Sequence, residues 1–201
     1  MLTATALSCV RGERPLFSGL DLAVGAGEWL HVQGENGAGK TSLLRILAGL
    51  SPPAAGEIRW QGEPIKALAE DYRRHLLFLG HHGAVKEELT PLENLTLAAQ
   101  LDGTALDAVE ALQALARFGL RGREDLAVRF LSAGQKRRVL LARLAVRKAT
   151  LWILDEPFTA LDVKAVEMLS GLIAEHVAGG GMAILTSHQS MPLPNGKVLK
   201  L

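Results

Sequence analysis

The segment that most constrains the fold of this chain is Gly34-Glu35-Asn36-Gly37-Ala38-Gly39-Lys40-Thr41. It fits the phosphate-binding loop pattern, in which a glycine and four free positions precede Gly-Lys-Thr. Trp29 to Gln33 alternate like a strand, and Ser42 to Leu50 carry apolar residues at helical spacing. In that context backbone N–H groups and a helix N-terminus bind a phosphate. The pattern predicts a nucleoside triphosphate site, and the alternative is a glycine-rich turn that binds nothing.

The same loop predicts which residues contact the nucleotide and its metal. We expect Lys40 to reach the β- and γ-phosphates and the Thr41 hydroxyl to bind Mg²⁺. The expected nucleotide contacts come from nine consecutive residues: Gly34, Glu35, Asn36, Gly37, Ala38, Gly39, Lys40, Thr41 and Ser42.

Length and composition indicate how many domains the chain forms and which kinds of partner it is expected to have. With 201 residues, of which 48% are hydrophobic, we expect one domain with a sizeable core. A formal net charge of +1 argues against nucleic acid or another large polyanion as a partner. The single cysteine, Cys9, excludes a disulfide framework within the chain and fits a reducing compartment. Because we find neither an apolar stretch of transmembrane length nor a signal-peptide pattern, we expect a soluble, cytoplasmic chain.

Turn and helix signals predict an α/β core with an antiparallel β edge. Residues 2–33 and 57–65 contain short strands separated by glycine turns. Three apolar runs are typical of buried parallel strands: Leu76–Leu79, Leu151–Leu154 and Met182–Thr186. Residues 82–148 hold no convincing strand, and we expect a helical subdomain there, inserted in a single domain that spans residues 1–201.

Three helices are predicted within the insertion. Thr90-Pro91-Leu92-Glu93 is a capping box with proline at the first helical position. A second helix is expected to begin near Thr104-Ala105-Leu106-Asp107 and to end at Gly119. Its apolar side would carry Leu106, Val109, Leu112 and Leu115, and a third helix would run from Ala133 into Val146.

Two carboxylates, Asp155 and Glu156, directly follow the apolar run Leu151–Leu154. A buried strand that ends in an acid places it at the carboxyl edge of the sheet, beside the phosphate loop. We expect Asp155 to hold Mg²⁺ and Glu156 to polarise the attacking water. Two solvated acids that end a strand are the alternative interpretation.

A further segment, Leu131-Ser132-Ala133-Gly134-Gln135, carries small residues at a helix N-terminus and so predicts a second anion site. It resembles the signature sequence of the ATP-binding-cassette (ABC) ATPases, usually Leu-Ser-Gly-Gly-Gln. Thr159-Ala160-Leu161-Asp162 resembles the D-loop of that family, and Thr186-Ser187-His188 resembles its switch-histidine segment. The order and spacing of the motifs also match, so the resemblance covers essentially the whole chain.

The resemblance implies a phosphate-loop NTPase fold of the RecA-like type and the hydrolysis of ATP with Mg²⁺. Two copies of the chain would face each other head to tail, with each ATP between one phosphate loop and the signature helix of the partner. Catalysis would then rest on Glu156, His188 and Lys40, and the signature helix and D-loop would contribute Ser132, Gly134, Gln135 and Asp162.

Two positions depart from the family pattern. Arg11 stands where the adenine-stacking aromatic is usual, and a guanidinium plane can stack on a base. His81 stands where most members have a glutamine that senses Mg²⁺ and the γ-phosphate. Because Mg²⁺ prefers oxygen ligands, we expect His81 to act through water or a hydrogen bond. A haem-ligand role for His81-His82 is the less favoured alternative.

Several segments narrow the resemblance to the branch of the family that serves cytochrome c maturation. They are Leu79-Gly80-His81, Leu131–Val139, Ala149–Ala160, Pro15–Leu20 and Ala26–Trp29. This resemblance implies a peripheral ATPase subunit on the cytoplasmic face of the inner membrane. It would power the membrane-embedded subunits of a cytochrome c maturation complex, in haem delivery or export.

Three other functions remain open. The chain could serve an ABC exporter with a different cargo. A soluble cassette that acts on ribosomes or DNA would usually carry two cassettes or long inserts and a basic surface. A small-molecule kinase with a phosphate loop would leave the signature segment unexplained.

Overall fold

Two β-sheets and seven helices build the described residues, 1–80, 85–187 and 193–201, of a computed structural model. The chain divides into two compact units. The first, here called the core unit, contains residues 1–81, 149–157 and 170–201, and the second, the helical unit, contains residues 82–148 and 158–169.

All strands of the described residues lie in the core unit. They are β1 Leu2–Arg11, β2 Arg14–Val24, β3 Trp29–Gln33, β4 Ala55–Trp60, β5 Glu63–Pro64, β6 Leu76–Leu79, β7 Leu151–Leu154, β8 Met182–Thr186 and β9 Lys197–Lys200. The helices of this unit are α1 Lys40–Leu47 and α2 Ile65–His75. The helical unit contains α3 Pro91–Leu101, α4 Ala108–Arg117, a 3-10 turn Val128–Phe130, α5 Ala133–Leu141 and α6 Arg143–Val146. The residues of α7, Val163–Ala178, are shared between the two units.

The core unit contains one parallel and one antiparallel sheet. Five parallel strands lie in the order β6-β7-β8-β3-β9, and four antiparallel strands lie in the order β2-β1-β4-β5. Every residue of β7 and β8 is buried, as expected for central parallel strands. The predicted α/β core with an antiparallel edge is therefore confirmed.

One apolar cluster joins both sheets to α1. Leu43, Leu44 and Leu47 of α1 are fully buried in it, together with Ile153 of β7 and Ile184 of β8. Apolar residues at helical spacing on α1 therefore hold the start of the helix, and with it the glycine loop, against the sheet.

The packing of α2 fixes the other end of α1. The Tyr72 hydroxyl donates a 2.7 Å hydrogen bond to the carbonyl oxygen of Leu47, the last residue of α1. Burial raises the pKa of this hydroxyl, so it remains a proton donor. The Tyr72 ring also lies 5.6 Å from that of Trp60. The sequence analysis missed α2, although Ile65 and Tyr72 supply its buried face.

All three predicted helices of the insertion are present in the structure. Thr90 caps α3 as predicted, since its hydroxyl accepts from the Glu93 N–H at 3.1 Å and the Glu93 carboxylate accepts from the Thr90 N–H at 2.8 Å. The helix predicted from Ala133 to Val146 is present but is divided at Ala142 into α5 and α6.

The predicted start segment of α4 and its predicted end at Gly119 are confirmed, whereas most of its predicted face was wrong. Its N-cap is Asp107, whose carboxylate accepts from the Glu110 N–H at 2.8 Å, and Thr104 precedes the helix. The buried side carries Ala111, Ala114 and Leu115, whereas Val109 is 62% exposed and Leu112 40% exposed. Within α4, only Leu115 of the predicted side is buried, and Ala111 and Ala114 supply the rest of the buried face.

Candidate functional site

The glycine loop between β3 and α1 adopts conformations that favour glycine. Gly37 has φ +83° and Gly39 has φ +104°, both in the left-handed region. A Cβ on Gly39 would also lie 3.1 Å from the Cβ of Leu16, so side-chain room is lacking there. Gly39 is the N-cap of α1 and contributes no side chain, which leaves the backbone N–H groups of the first turn facing the loop.

Lys40, the first residue of α1, folds back over the loop that precedes it. Its ammonium donates to the Gly34 carbonyl oxygen at 2.7 Å and to the Glu35 carbonyl oxygen at 3.1 Å. The side chain is buried to 8% exposure. The loop and the helix start thus concentrate a fixed cation and oriented N–H groups at one point, an arrangement suited to a polyphosphate.

Thr41 and Asp155 meet across two elements of the core unit. The Thr41 hydroxyl donates a 2.7 Å hydrogen bond to Asp155 Oδ2. Asp155 directly follows β7 and is 1% exposed, and its backbone N–H donates to the Leu79 carbonyl oxygen of β6 at 2.8 Å. The carboxylate therefore lies at the carboxyl edge of the parallel sheet, as the sequence predicted.

Thr186 joins this arrangement, and the sequence analysis gave it no role. The Thr186 hydroxyl donates to Asp155 Oδ1 at 2.7 Å and accepts from the Glu156 N–H at 2.8 Å. Glu156 is 9% exposed and has φ +49°. The signals at Thr186 were its place in the Thr186-Ser187-His188 segment and a hydroxyl at the end of an otherwise apolar strand, and neither predicts this contact.

Lys40, Thr41, Asp155 and Glu156 line one cleft of about 420 Å³ in the core unit. The hairpin of β1 and β2 contributes Arg11 and Arg14, which pair across the strands and are exposed. Leu16 of β2 also lines the cleft. The remaining lining comes from the loop, α1 and the residues after β7: Glu35, Asn36, Gly37, Gly39, Lys40, Thr41, Ser42, Asp155 and Glu156. Cationic groups and carboxylates are equally numerous here, which suits a polyphosphate held together with a cation.

The signature segment lies in the helical unit and begins α5. Ser132 is the N-cap, and its hydroxyl accepts from the Gln135 N–H at 3.2 Å, while the Gln135 side chain accepts from the Ser132 N–H at 2.9 Å. Gly134 packs so closely that a Cβ there would lie 2.9 Å from the Ala160 carbonyl oxygen. Ser132 itself is exposed at the helix start.

Asp162 is positioned by two partners within the helical unit. Its carboxylate accepts from the Ala165 N–H at 2.9 Å, which caps the start of α7, and from the Arg138 guanidinium at 2.6 Å. The Ala165 N–H, and after it the Arg138 charge, hold the pKa of this carboxyl below its ordinary value. Asp162 therefore ties the D-loop segment to the signature helix α5.

The structure thus brings together one set of the predicted residues in the core unit and another in the helical unit. The core unit holds the loop residues, Arg11, Asp155 and Glu156, and the helical unit holds Ser132, Gly134, Gln135 and Asp162. His81 and His188 lie outside the described residues. Among the residues that the structure describes, no group of three or more His, Cys, Asp or Glu side chains is placed to hold a metal ion.

Known proteins resemble this chain in sequence over its whole length. A profile of the family described as "ABC transporter" matches residues 17–159. The "Cytochrome c biogenesis ATP-binding export protein CcmA" of Dechloromonas aromatica is 59% identical over all of this chain and 98% of the relative. The protein of the same name from Escherichia coli K12 is 51% identical over all of this chain and 95% of the relative.

Solved structures share the fold. An ATP-binding subunit of an ABC transporter superposes with a TM-score of 0.82 at 30% identity, covering 94% of this chain and 79% of that structure. A dimeric ABC transporter cassette superposes with a TM-score of 0.83 at 23% identity, covering 94% of this chain and 88% of the cassette.

The profile match, the full-length relatives and the cleft agree on one class of protein, the nucleotide-binding ATPase of a transporter. The chain belongs to the ABC transporter family, in its branch of cytochrome c biogenesis ATP-binding export proteins. Within residues 1–80, 85–187 and 193–201, no helix is long and apolar enough to cross a membrane.

Proposed function

We propose that the chain hydrolyses ATP to power a membrane complex of cytochrome c biogenesis, in which haem is delivered or exported. The observation that carries the proposal is the cleft in which Lys40, Thr41, Asp155 and Glu156 converge, in a chain 59% identical to a cytochrome c biogenesis export ATPase. The domain would act as a single nucleotide-binding domain with residues 82–148 as its helical subdomain.

In this proposal the glycine loop and α1 bind the phosphates. The N–H groups at the start of α1 and the Lys40 ammonium would hold the β- and γ-phosphates. Arg11 lies at the mouth of the same cleft, where its guanidinium plane would stack on the adenine in place of an aromatic ring. We assign His81 and His188 to contacts around the γ-phosphate.

The residues beside the loop fit Mg²⁺. The Thr41 hydroxyl oxygen and Asp155 Oδ2 lie 2.7 Å apart. Mg²⁺ is commonly held by one or two protein oxygens together with phosphate and water, so these two oxygens suit it. Mg²⁺ would supply charge neutralisation at the phosphates. The Thr41 hydroxyl already points its proton at Asp155, so its oxygen lone pairs are available to a cation.

Glu156 is the group assigned to the attacking water. It directly follows the Mg²⁺-holding acid and lines the cleft with only 9% of its surface exposed. A carboxylate at this position would orient water and accept its proton as the bond to the γ-phosphate forms.

A second copy would complete the site. Ser132 is exposed at the N-terminus of α5, and a solved cassette of the same fold is dimeric. The partner copy would present Ser132, Gly134 and Gln135 to the γ-phosphate, and Asp162 would hold the adjoining D-loop against α5. The membrane-embedded subunits would bind the pair at the cytoplasmic face of the inner membrane.

The test is Glu156→Gln, which keeps the size of the side chain and removes its capacity as a base. We expect ATP hydrolysis to fall by about 10²- to 10⁴-fold, while ATP affinity stays within about twofold of the parent. Rate is measured by phosphate release and affinity by equilibrium binding. Glu13→Gln, at an exposed position of the β1–β2 turn, is the matched control and should retain the parent rate.

A Glu156→Gln protein that hydrolyses ATP near the parent rate would contradict the assigned base. The biological part of the proposal has its own assay: the parent chain should copurify with cytochrome c maturation membrane proteins and restore holocytochrome c in a strain lacking its counterpart. A chain that hydrolyses ATP but does not restore holocytochrome c in that strain would point to an exporter with another cargo.

A further inference from the structure

The Thr186 hydroxyl stands between the two acids of the site. Thr186 ends β8 and is fully buried, at 0% exposure, and its hydroxyl lies within hydrogen-bond distance of both Asp155 and the Glu156 backbone. We propose that Thr186 is a positioning residue for ATP hydrolysis, which sets the Asp155 carboxylate for the metal and the Glu156 turn for water. This inference rests on the proposed roles of Asp155 and Glu156.

The direction of each hydrogen bond follows from the chemistry of a hydroxyl. Its single proton goes to Asp155 Oδ1, at 2.7 Å, because the carboxylate is an acceptor only. Its lone pairs are then left for the Glu156 N–H, at 2.8 Å. One oxygen atom thus serves two neighbouring residues, and neither contact can be made by an aliphatic side chain.

The contact to Asp155 fixes the rotation of the carboxylate. Oδ2 accepts from the Thr41 hydroxyl of α1, and Oδ1 accepts from the Thr186 hydroxyl of β8. Two donors from different elements hold the plane of the group from opposite ends. Replacing Thr186 by an aliphatic residue removes one of these two donors, so the carboxylate is held less firmly in the orientation that accepts from Thr41. We therefore expect the Mg²⁺ concentration that hydrolysis requires to depend on the Thr186 hydroxyl.

The contact to Glu156 stabilises a backbone conformation that a residue other than glycine rarely adopts. Glu156 has φ +49°, and such a conformation persists only when the surroundings hold it. Its N–H is buried with the Thr186 hydroxyl as acceptor, and a buried N–H without an acceptor is unfavourable. Thr186 therefore helps to hold the turn that aims the Glu156 side chain.

The sequence of β8 fits this role. Its first four residues, Met182–Leu185, are apolar and buried, and Thr186 alone of the strand carries a hydroxyl. Valine would match threonine in shape and in β propensity, so packing alone gives no reason for the hydroxyl.

The test compares Thr186→Val, which removes the hydroxyl, with Thr186→Ser, which keeps it. Thr5→Val, at an exposed position of β1 away from the cleft, is the matched control. Each purified variant is measured for ATPase rate against Mg²⁺ concentration, ATP affinity without Mg²⁺, thermal unfolding, and amide hydrogen exchange at Glu156 without nucleotide.

For Thr186→Val we expect hydrolysis to fall about tenfold, which equals about 1.4 kcal/mol. The Mg²⁺ concentration for half-maximal rate should rise, the Glu156 amide should exchange faster, and ATP affinity without Mg²⁺ should stay within about twofold. Thr186→Ser should stay within about threefold of the parent in rate, and Thr5→Val should match the parent throughout.

Parent-like Mg²⁺ dependence and Glu156 exchange in Thr186→Val would overturn the proposal. So would equal losses in Thr186→Ser and Thr186→Val, because the methyl group and not the hydroxyl would then matter. Glu156→Gln distinguishes a failure of the proposed function from a failure of the role given to Thr186. If Glu156→Gln is inactive while Thr186→Val is parent-like, only the role of Thr186 fails. If Glu156→Gln is active, the assignment of the base fails instead.

Discussion

A fall in pH should weaken the packing between α7 and β7 through His176. The imidazole of His176 stacks on the indole of Trp152, with ring centroids 3.8 Å apart and an interplanar angle of 2°. Its Nε2–H donates to the Met182 carbonyl oxygen at 3.2 Å. Burial lowers the pKa of His176 below its ordinary value, although backbone hydrogen bonds at Met182 and Thr150 act in the opposite direction.

The sign of the effect follows from which state takes up the proton. The unfolded chain protonates His176 near its ordinary pKa of about 6.5, whereas the folded chain resists protonation until a lower pH. The contribution of His176 to the free energy of unfolding is therefore fully present above about pH 6.5 and is lost as the pH falls from there toward the folded pKa.

The size of the effect has an upper limit. If only the unfolded state takes up the proton, lowering the pH from 7.5 to 5.5 reduces the free energy of unfolding by at most about 1.4 kcal/mol. The ring is partly exposed, so we discount this for solvent screening to about 0.7 kcal/mol. A chain of this size then loses about 1–3 °C in Tm from this group.

The assay is thermal unfolding at pH 7.5 and 5.5 for the parent and for His176→Phe, which keeps a ring on Trp152 and cannot be protonated. The difference in Tm between the two pH values should be smaller in His176→Phe by about 1–3 °C. His75→Phe, at an exposed histidine of α2, is the control. The reasoning would be refuted if the parent and His176→Phe lost the same Tm between pH 7.5 and 5.5. It would also be refuted if the parent lost less Tm than His176→Phe.

Two more substitutions test individual contacts. Tyr72→Phe removes the 2.7 Å hydrogen bond to the Leu47 carbonyl oxygen and should lower the free energy of unfolding by about 1–2 kcal/mol, measured by urea unfolding. Gly134→Ala places a Cβ 2.9 Å from the Ala160 carbonyl oxygen and should destabilise the chain by about 1–3 kcal/mol, with loss of ATPase activity. Gly171→Ala, in a helix with open space around the position, should instead stabilise by about 0.5–1 kcal/mol; a stabilised Gly134→Ala would contradict the close packing.

The sequence predicted local structure well where the deciding residues lie within a few positions of one another. The glycine loop, its flanking strand and helix, and the capping box at Thr90 all depend on neighbours within a few positions. The acids after β7 were placed correctly because strand ends in a parallel sheet share one edge.

Features that depend on distant parts of the chain were not predictable from one sequence. Thr186 lies 31 positions from Asp155, and only the order of the strands brings β7 and β8 side by side. Most of the face of α4, apart from Leu115, was predicted wrongly because Val109 and Leu112 outweigh Ala111 and Ala114 in hydrophobicity. Close helix packing instead selects the smaller side chains, which is a property of the neighbours rather than of the helix.

The order of strands in the parallel sheet has a consequence for how the chain folds as it is synthesised. β3, which leads into the glycine loop, pairs with β8 on one side and β9 on the other, and both follow roughly 150 residues or more later. A ribosome produces the loop early, but the strand beneath it remains without either neighbour until the final segments emerge. Nucleotide binding by nascent chains arrested at increasing lengths should therefore appear late and abruptly, after β8 has left the exit tunnel.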